Sequence, residues 1–351
     1  MSVKSKTGSH RKSLVIVSLI LVVAVLVCSL FVYRPLMDDG FIRVKTANEL
    51  RDAINNAEVG VQLNIALTED ISLGTLVIPA GADIALTSSG GNGFFKLIGV
   101  SGVSVITVER GGRLTLDGIT VTHGGADGAG VVVEAGGVLI MNDGKISGNL
   151  AGNGGGGVTV RGGVFEMYGG VISDNTAIGC SGGVNVPWGY FSMYGGEIVG
   201  NTGFATGWNE GGTGGGVSSG GTFVMMGGVI ANNVANGDGS GGGVYSYAGV
   251  FEMRGGEISG NTAVWGGGVY ITTQATFNLY DDGVIINNKA TDGGGVFIYY
   301  GEFNMLGGIV SGNIAHQGGG VCTWLYGTFN RSGGEFSGNT ANIGNDLYNS
   351  T

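Results

Sequence analysis

The sequence is poor in proline, cysteine and charge. Among 351 residues there are three prolines and three cysteines, and 12% of the residues are charged. So few prolines exclude a collagen-like chain, and 43% hydrophobic residues are more than a disordered Gly-rich linker carries. The 76 glycines are therefore assigned to a folded and repeated architecture.

Long hydrophobic runs are also scarce, and one apolar run is long enough to cross a bilayer. It extends from Leu14 to Val32 and follows a basic tail, residues 1–13. This pattern predicts a transmembrane signal anchor over residues 14–33, with the tail in the cytoplasm. The alternative is a secretory signal that is cleaved after Ser29. Either interpretation exports the remainder, with residues 34–45 as a linker.

The charge balance limits the choice of partner. The chain has 16 basic and 26 acidic residues, and four of the basic ones lie in the tail. The exported part is therefore strongly acidic, which makes nucleic acid and anionic lipid poor partners. We expect no nucleic-acid partner, no cofactor and no metal site.

Residues 124–351 consist of eight similar units, most of them 25 to 27 residues long. Each begins with a Gly-rich segment that is followed by a valine: Val131, Val158, Val184, Val217, Val244, Val269, Val296 and Val321. An aromatic residue or leucine comes next, often with Met two positions later, as in Phe165 and Met167. Each unit ends near an asparagine: Asn149, Asn175, Asn201, Asn233, Asn261, Asn288, Asn313 and Asn339.

This repeat predicts an all-β, right-handed parallel β-helix with three short strands per coil. The apolar segments alternate with period two and are bounded by Gly or Gly-Asn, which favours short strands between tight turns. One such coil cannot bury its apolar face, so the coils must stack with strands about 4.8 Å apart. The repeated asparagine is expected to form an internal amide ladder.

Upstream of residue 124 the repeat is weaker. Residues 61–123 still alternate apolar and polar side chains, which predicts two or three less regular coils, and His123 occupies the place of the ladder asparagine. Before them, a capping box at Thr46 and Glu49 predicts a short amphipathic helix over residues 46–60 that caps the N-terminal end of the stack.

The units at residues 162–177 and 249–263 resemble those of bacterial surface proteins with right-handed parallel β-helix repeats. In this sequence they read Gly-Gly-Val-Phe-Glu-Met-Tyr-Gly-Gly-Val-Ile-Ser-Asp-Asn-Thr-Ala and Gly-Val-Phe-Glu-Met-Arg-Gly-Gly-Glu-Ile-Ser-Gly-Asn-Thr-Ala. Such proteins are known as adhesin-like members of the pectin-lyase-like superfamily. The resemblance covers roughly residues 46–351 and implies the fold without implying a chemistry.

Enzymes of that superfamily cluster acidic residues, so the acidic residues were considered as a catalytic or metal site. The best group is Asp281 and Asp282 with Asp292 and Glu302. Neighbouring carboxylates on one strand face opposite sides, and basic partners are scarce. We therefore predict no catalytic residue, although a polysaccharide lyase or hydrolase stays the alternative. Cys180 and Cys322 lie five coils apart, about 24 Å at strand spacing, and should be free thiols.

Aromatic residues recur in the first strand of the last four units. The valine of that strand faces inward, so the residues one and three positions later face outward. They are mostly aromatic: Tyr245, Tyr247, Tyr270, Phe297, Tyr299 and Trp324. Such a row of exposed aromatic residues at regular coil spacing favours stacking on sugar rings or packing on a protein partner. The alternative is cross-strand stacking that only stabilises the sheet.

Two further features bear on partners. The unit that begins at Val184 is longer than the others, and its additional residues carry Trp208 and Glu210, which are expected to project as loop contacts. The alternative is neutral variation in loop length. The edge of the last coil could drive self-association. Together these features predict a membrane-anchored or secreted adhesin-like protein that binds a glycan or protein partner, with a purely structural envelope stalk as the other alternative.

Overall fold

The computed structural model describes residues 40–89, 94–124, 127–152, 154–205 and 213–350. Within these residues the chain is a parallel β-solenoid of about 11 turns with one short helix, α1 (Ala47–Asn55). The segments predicted as basic tail and membrane anchor, residues 1–13 and 14–33, lie outside the described residues. No helix among the described residues is long and apolar enough to span a membrane.

The strands are short, from two to eleven residues. In chain order they are Ile42–Val44, Gln62–Leu67, Ile71–Leu73, Leu76–Ile78, Asp83–Ser88, Lys96–Gly99, Ile106–Val108, Arg113–Thr122, Val131–Val133, Val138–Ser147, Leu150–Ala151, Val158–Met167, Val171–Ser173, Thr176–Ile178, Val184–Met193, Glu197–Val199, Thr202–Phe204, Val217–Ser219, Thr222–Met225, Val229–Ala231, Val234–Asn236, Val244–Ser246, Val250–Ser259, Val269–Thr272, Thr276–Ile286, Val296–Tyr299, Glu302–Met305, Ile309–Ser311, Ile314–Gln317, Val321–Trp324, Thr328–Arg331, Glu335–Ser337, Thr340–Ile343 and Leu347–Ser350.

Equivalent residues of successive coils pair in register, as the repeat predicted. Phe165 pairs with Phe191 and Met167 with Met193, and all these pairings are parallel. Identical side chains therefore stack along the solenoid axis. Six phenylalanines are fully buried in one column, with neighbouring ring centroids 4.6 to 4.8 Å apart: Phe165, Phe191, Phe223, Phe251, Phe277 and Phe303.

The prediction of three strands per coil is wrong for the coils in which a fourth short strand follows the asparagine. Thr176–Ile178 pairs with Thr202–Phe204, and Ile314–Gln317 pairs with Thr340–Ile343, in sheets separate from the main one. The segment is two to four residues long, too short for alternation to reveal it. Its backbone bonds continue the ladder, since Thr202 N–H donates to the Asn175 carbonyl at 2.9 Å.

The predicted amide ladder is confirmed. The Nδ2 of each ladder asparagine donates to Oδ1 of the next, at 2.8 Å from Asn149 to Asn175 and 3.0 Å from Asn175 to Asn201. The same Oδ1 atoms accept a backbone N–H from the preceding asparagine, for example Asn175 N–H to Asn201 Oδ1 at 3.1 Å. His123 lies at the start of the ladder, as its position in the sequence indicated.

The N-terminal coils pair in the same parallel way. Gln62–Leu67 pairs with Asp83–Ser88, which pairs with Arg113–Thr122. Helix α1 precedes them and begins after Thr46, whose hydroxyl accepts the Glu49 N–H. Its buried residues are Leu50 and Ile54. The helix is shorter than the predicted range, residues 46–60, and ends at Asn55.

Candidate binding surface

The first-strand aromatic residues form a stacked column along the axis. Ring centroids are 5.5 Å apart between Tyr245 and Tyr270 and 5.3 Å apart between Tyr270 and Phe297, and the latter rings are within 5° of parallel. Tyr247 packs on Tyr245 at 5.5 Å, and Trp324 packs on Phe297 at 6.2 Å. Each inner ring therefore has another ring on either side of it along the axis, as in the alternative of stabilising cross-strand stacking.

Two of the six predicted site residues are buried. Tyr245 is 6% exposed and Phe297 2% exposed, so the expectation that the whole row faces solvent is wrong for them. The Gly-rich segment that precedes each first strand folds over its outer side. The backbone of Gly293 lies so close that a Cβ placed on it would be 2.7 Å from Cβ of Phe297. Alternation predicts the direction of these side chains, but it cannot show that the preceding Gly-rich segment packs over them.

Burial also changes the acidity of the column. It raises the pKa of Tyr247 to about 12, with smaller contributions from Cys180 and Tyr245. It raises the pKa of Tyr270 as well, against a hydrogen bond with Thr272 that lowers it. Burial and the nearby Asp292 raise the pKa of Cys322, whose thiol is free as predicted, to about 12. The phenols and this thiol are therefore neutral over the physiological range.

The turn from first to second strand is strained in the last three coils. Earlier coils place a glycine at its positive-φ position, such as Gly162 at 77° and Gly249 at 64°. Thr273, Tyr300 and Leu325 adopt the same region at 55°, 63° and 50°. A residue with a Cβ pays about 1–2 kcal/mol there. Bulky residues in this conformation are uncommon and cluster at functional sites.

The side chains that this strained turn carries are exposed and apolar. We call Tyr300, Trp324, Leu325 and Tyr326 the aromatic corner. Tyr326 is 79% exposed, Leu325 51%, Tyr300 42% and Trp324 37%. The rings of Tyr300 and Tyr326 are 5.4 Å apart, and Tyr299 meets the edge of Tyr300 at 4.6 Å. Alternation along the strand predicts Tyr299 and Trp324, but it says nothing about the turn residues Tyr300, Leu325 and Tyr326.

Other exposed aromatic residues lie in earlier coils. Trp188 and Tyr190 are exposed at the same turn of the coil that begins at Val184. Tyr168 and Tyr194 are stacked at 4.6 Å further round the coil. At the turn that holds Trp188, the positive-φ residue is glycine, Gly189. The predicted loop contacts Trp208 and Glu210 lie outside the described residues.

The acidic residues considered as a catalytic group lie at three places in the coil. Asp281 and Asp282 are exposed between the second- and third-strand parts of Thr276–Ile286, and Glu302 begins a second strand. Asp292 is buried in the turn before a first strand, where burial raises its pKa and His316 opposes that shift. Among the described residues, no three His, Cys, Asp or Glu side chains are grouped so that they could hold a metal ion.

Comparisons with models of known protein families, with curated proteins and with solved structures find no match to this chain. The class that the structure defines is therefore one of architecture, a parallel β-solenoid protein.

Proposed function

We propose that the chain is a non-catalytic, adhesin-like surface protein whose solenoid presents the aromatic corner to a partner. The supporting observation is the backbone of Tyr300 and Leu325. Both hold a left-handed conformation that glycine supplies without strain in earlier coils, and both project their side chains into solvent. Backbone strain at residues whose side chains stay 42% and 51% exposed supports a role in binding. The exposed apolar cluster is the kind of surface that partners cover.

The proposal includes the placement of the protein. Residues 14–33 anchor it as a single membrane span, or are cleaved to release it, and the solenoid lies on the extracellular side. Helix α1, with Leu50 and Ile54 buried, caps the N-terminal end of the stack. The likeness of the repeats to adhesin-like members of the pectin-lyase-like superfamily agrees with this placement. A structural stalk without a partner is the second candidate, favoured by the covered column of Tyr245, Tyr270 and Phe297.

Attachment of the labelled full chain to intact cells tests the proposal. The variants Tyr300→Gly and Leu325→Gly each remove an exposed side chain. Each also removes the strain of the left-handed backbone conformation at the same residue. Thr273→Gly is the matched control, because it relieves the same turn without removing an aromatic or aliphatic group. We expect Tyr300→Gly and Leu325→Gly to weaken attachment by about tenfold, and Thr273→Gly to leave it unchanged. Equal attachment by all variants would support the stalk.

A further inference from the structure

The outer face of the second strands is polar beside the aromatic corner. In the last three of these strands the pairing aligns Thr276, Glu302 and Thr328 in one column. Asn278, Asn304 and Asn330 form the next column, two residues further along each strand. We call these six residues the polar floor. Alternation directs them outward, because residues that alternate with them along the strands, Phe277, Phe303 and Met305, are buried.

The asparagines of the floor make an amide ladder of their own on the surface. Asn304 Nδ2 donates to Asn278 Oδ1 at 3.0 Å, and Asn330 Nδ2 donates to Asn304 Oδ1 at 3.0 Å. Asn330 Nδ2 also donates to Glu302 Oε1 at 2.9 Å. An amide has two donor hydrogens and two acceptor lone pairs. Asn330 uses both hydrogens in these two bonds, so the ladder leaves donor hydrogens on Asn278 and Asn304 and acceptor lone pairs on all three amides. The ladder also holds the amides in one orientation before any ligand arrives.

Apolar groups border the floor on both sides. The aromatic corner, with Tyr300 and Tyr326, lies where these strands begin. Tyr280 and the exposed Leu306 follow Asn278 and Asn304 by two residues on the same outer face. From Glu302 to Leu306 the face extends about 13 Å at the rise of a strand, and Tyr300 lies in the turn just before it. This is a wide platform for a ligand that offers both hydroxyl groups and apolar C–H faces.

The charged residues on and around this face limit the net charge of a ligand that could bind there. The floor has one carboxylate, Glu302, and no basic residue. Arg254 lies over the Tyr280 ring at 5.1 Å and is paired with Glu252 at 2.8 Å. Arg331 lies over the Phe336 ring at 4.8 Å and donates to the Gly334 carbonyl. Lys289 is in a fourth-strand segment. An anionic ligand would find no cation of the floor to pair with.

Resting on the proposed function, we infer that the partner is an uncharged polysaccharide, which packs on the aromatic corner while its hydroxyl groups bond to the amide ladder of the polar floor. Exposed aromatic rings supply the apolar contact. The Asn amides and the Glu302 carboxylate supply donors and acceptors for hydroxyl groups. The regular spacing of the ladder suits a ligand that is itself a repeating chain.

Binding of the full chain to immobilised polysaccharides tests this inference. The neutral set is dextran, mannan and an unsubstituted β-glucan, and the acidic set is polygalacturonate and alginate. The floor variant carries Asn304→Thr and Asn330→Thr, which keep a strand-forming residue at each place. Its control is Ser192→Ala, in the same column four coils earlier. We expect a neutral polysaccharide to bind, about tenfold more weakly to the floor variant, and the control to match the unchanged protein.

Three results would overturn the inference: binding to the acidic set alone, binding to no polysaccharide, or full affinity in the floor variant. The cell assay separates these results from a failure of the proposed function. If Tyr300→Gly abolishes cell attachment while no polysaccharide binds, the corner is still a binding site and its partner is of another class. If Tyr300→Gly leaves cell attachment intact, the proposed function fails, and the inference fails with it.

Discussion

Nδ1 of His123 lies 2.9 Å from Oδ1 of Asn149, and this contact begins the column of eight ladder asparagines. Nε2 of the same ring lies 2.8 Å from the carbonyl oxygen of Val103. The orientation of the Asn149 amide is fixed, because its Nδ2 donates to Asn175 Oδ1 at 2.8 Å. Both ring nitrogens of His123 therefore face oxygen acceptors.

The ladder has a direction, and each end has its own terminating residue. Every link runs from Nδ2 of one asparagine to Oδ1 of the next, so an acceptor is left at the first residue and a donor at the last. His123 Nδ1 lies at the free Oδ1 of Asn149, where a proton on Nδ1 would complete the ladder. Asp346 Oδ1 accepts from Asn339 Nδ2 at 3.0 Å. The amide dipoles of the ladder are aligned, with oxygen at the first end and N–H at the last. A basic residue type at the oxygen end and an acidic one at the N–H end complement these dipoles.

Substitution of His123 tests the start of the ladder. His123→Leu should lower the free energy of unfolding by about 1–3 kcal/mol, because it removes the polar partner that the ring provides for the buried Asn149 amide. His123→Asn should cost less, since an amide can continue the ladder. Chemical denaturation of both variants makes the comparison. An equal loss for the two would mean that the ring is held by packing rather than by its hydrogen bonds.

Substitution of Gly268 tests how closely the glycine segments approach the ladder. A Cβ on Gly268 would meet the Gly295 carbonyl at 2.6 Å and Asn288 Nδ2 at 3.0 Å. Gly268→Ala should therefore destabilise the protein by about 1–3 kcal/mol through overpacking. Gly152→Ala is the control, because a Cβ there has no neighbour within 4 Å among the described residues. Thermal melts of the pair should differ clearly, and coincident melts would contradict the packing seen at Gly268.

Truncation of Phe297 tests the role of the buried aromatic column. Phe297→Ala should cost about 3–5 kcal/mol of stability, because it removes a buried ring between two others. Trp324→Ala should cost less, since Trp324 ends the column and is partly exposed. Urea denaturation curves give both values. A larger loss of stability in Trp324→Ala than in Phe297→Ala would contradict the burial of the aromatic column.

Alkaline pH should destabilise the solenoid. Burial raises the pKa of Cys322 from its ordinary 9.0 to about 12, and that of Tyr247 from 10.0 to about 12. Above pH 9 the unfolded chain loses these protons while the folded chain keeps them, so stability is full below pH 9 and falls as the pH rises towards 12. Unfolding free energies measured across this range should decline less steeply in Cys322→Ala. An identical decline would exclude a contribution from the thiol.

Much of the solenoid could be predicted from the sequence, because the same side chains recur once per coil. A column such as Phe165 and Phe191 needs only the repeat and the alternation to be assigned to the interior. The ladder position of His123 follows from the same count. The fourth strand could not be predicted, since segments such as Thr176–Ile178 are too short to show a period and are defined by pairing between coils.

The candidate surface was predicted less well, for two physical reasons. Alternation gives the direction of Tyr245 and Phe297, but their burial depends on how the preceding glycine segment folds back. The conformation of Tyr300 and Leu325 is not visible in the sequence, because neither is a residue type that favours positive φ. One signal was present: these units carry bulky residues where Gly162 stands in an earlier one.

The stability of Tyr300→Gly is the most direct test of the claim that the aromatic corner is kept for binding. Removal of the left-handed strain should raise the free energy of unfolding by about 1–2 kcal/mol. The greater conformational freedom of glycine in the unfolded chain should lower it by about 0.5–1 kcal/mol. The account predicts that the free energy of unfolding is unchanged or slightly raised in a variant that has lost attachment to cells. A loss of more than about 2 kcal/mol, comparable with removal of a packed side chain, would contradict it and make Tyr300 a structural residue.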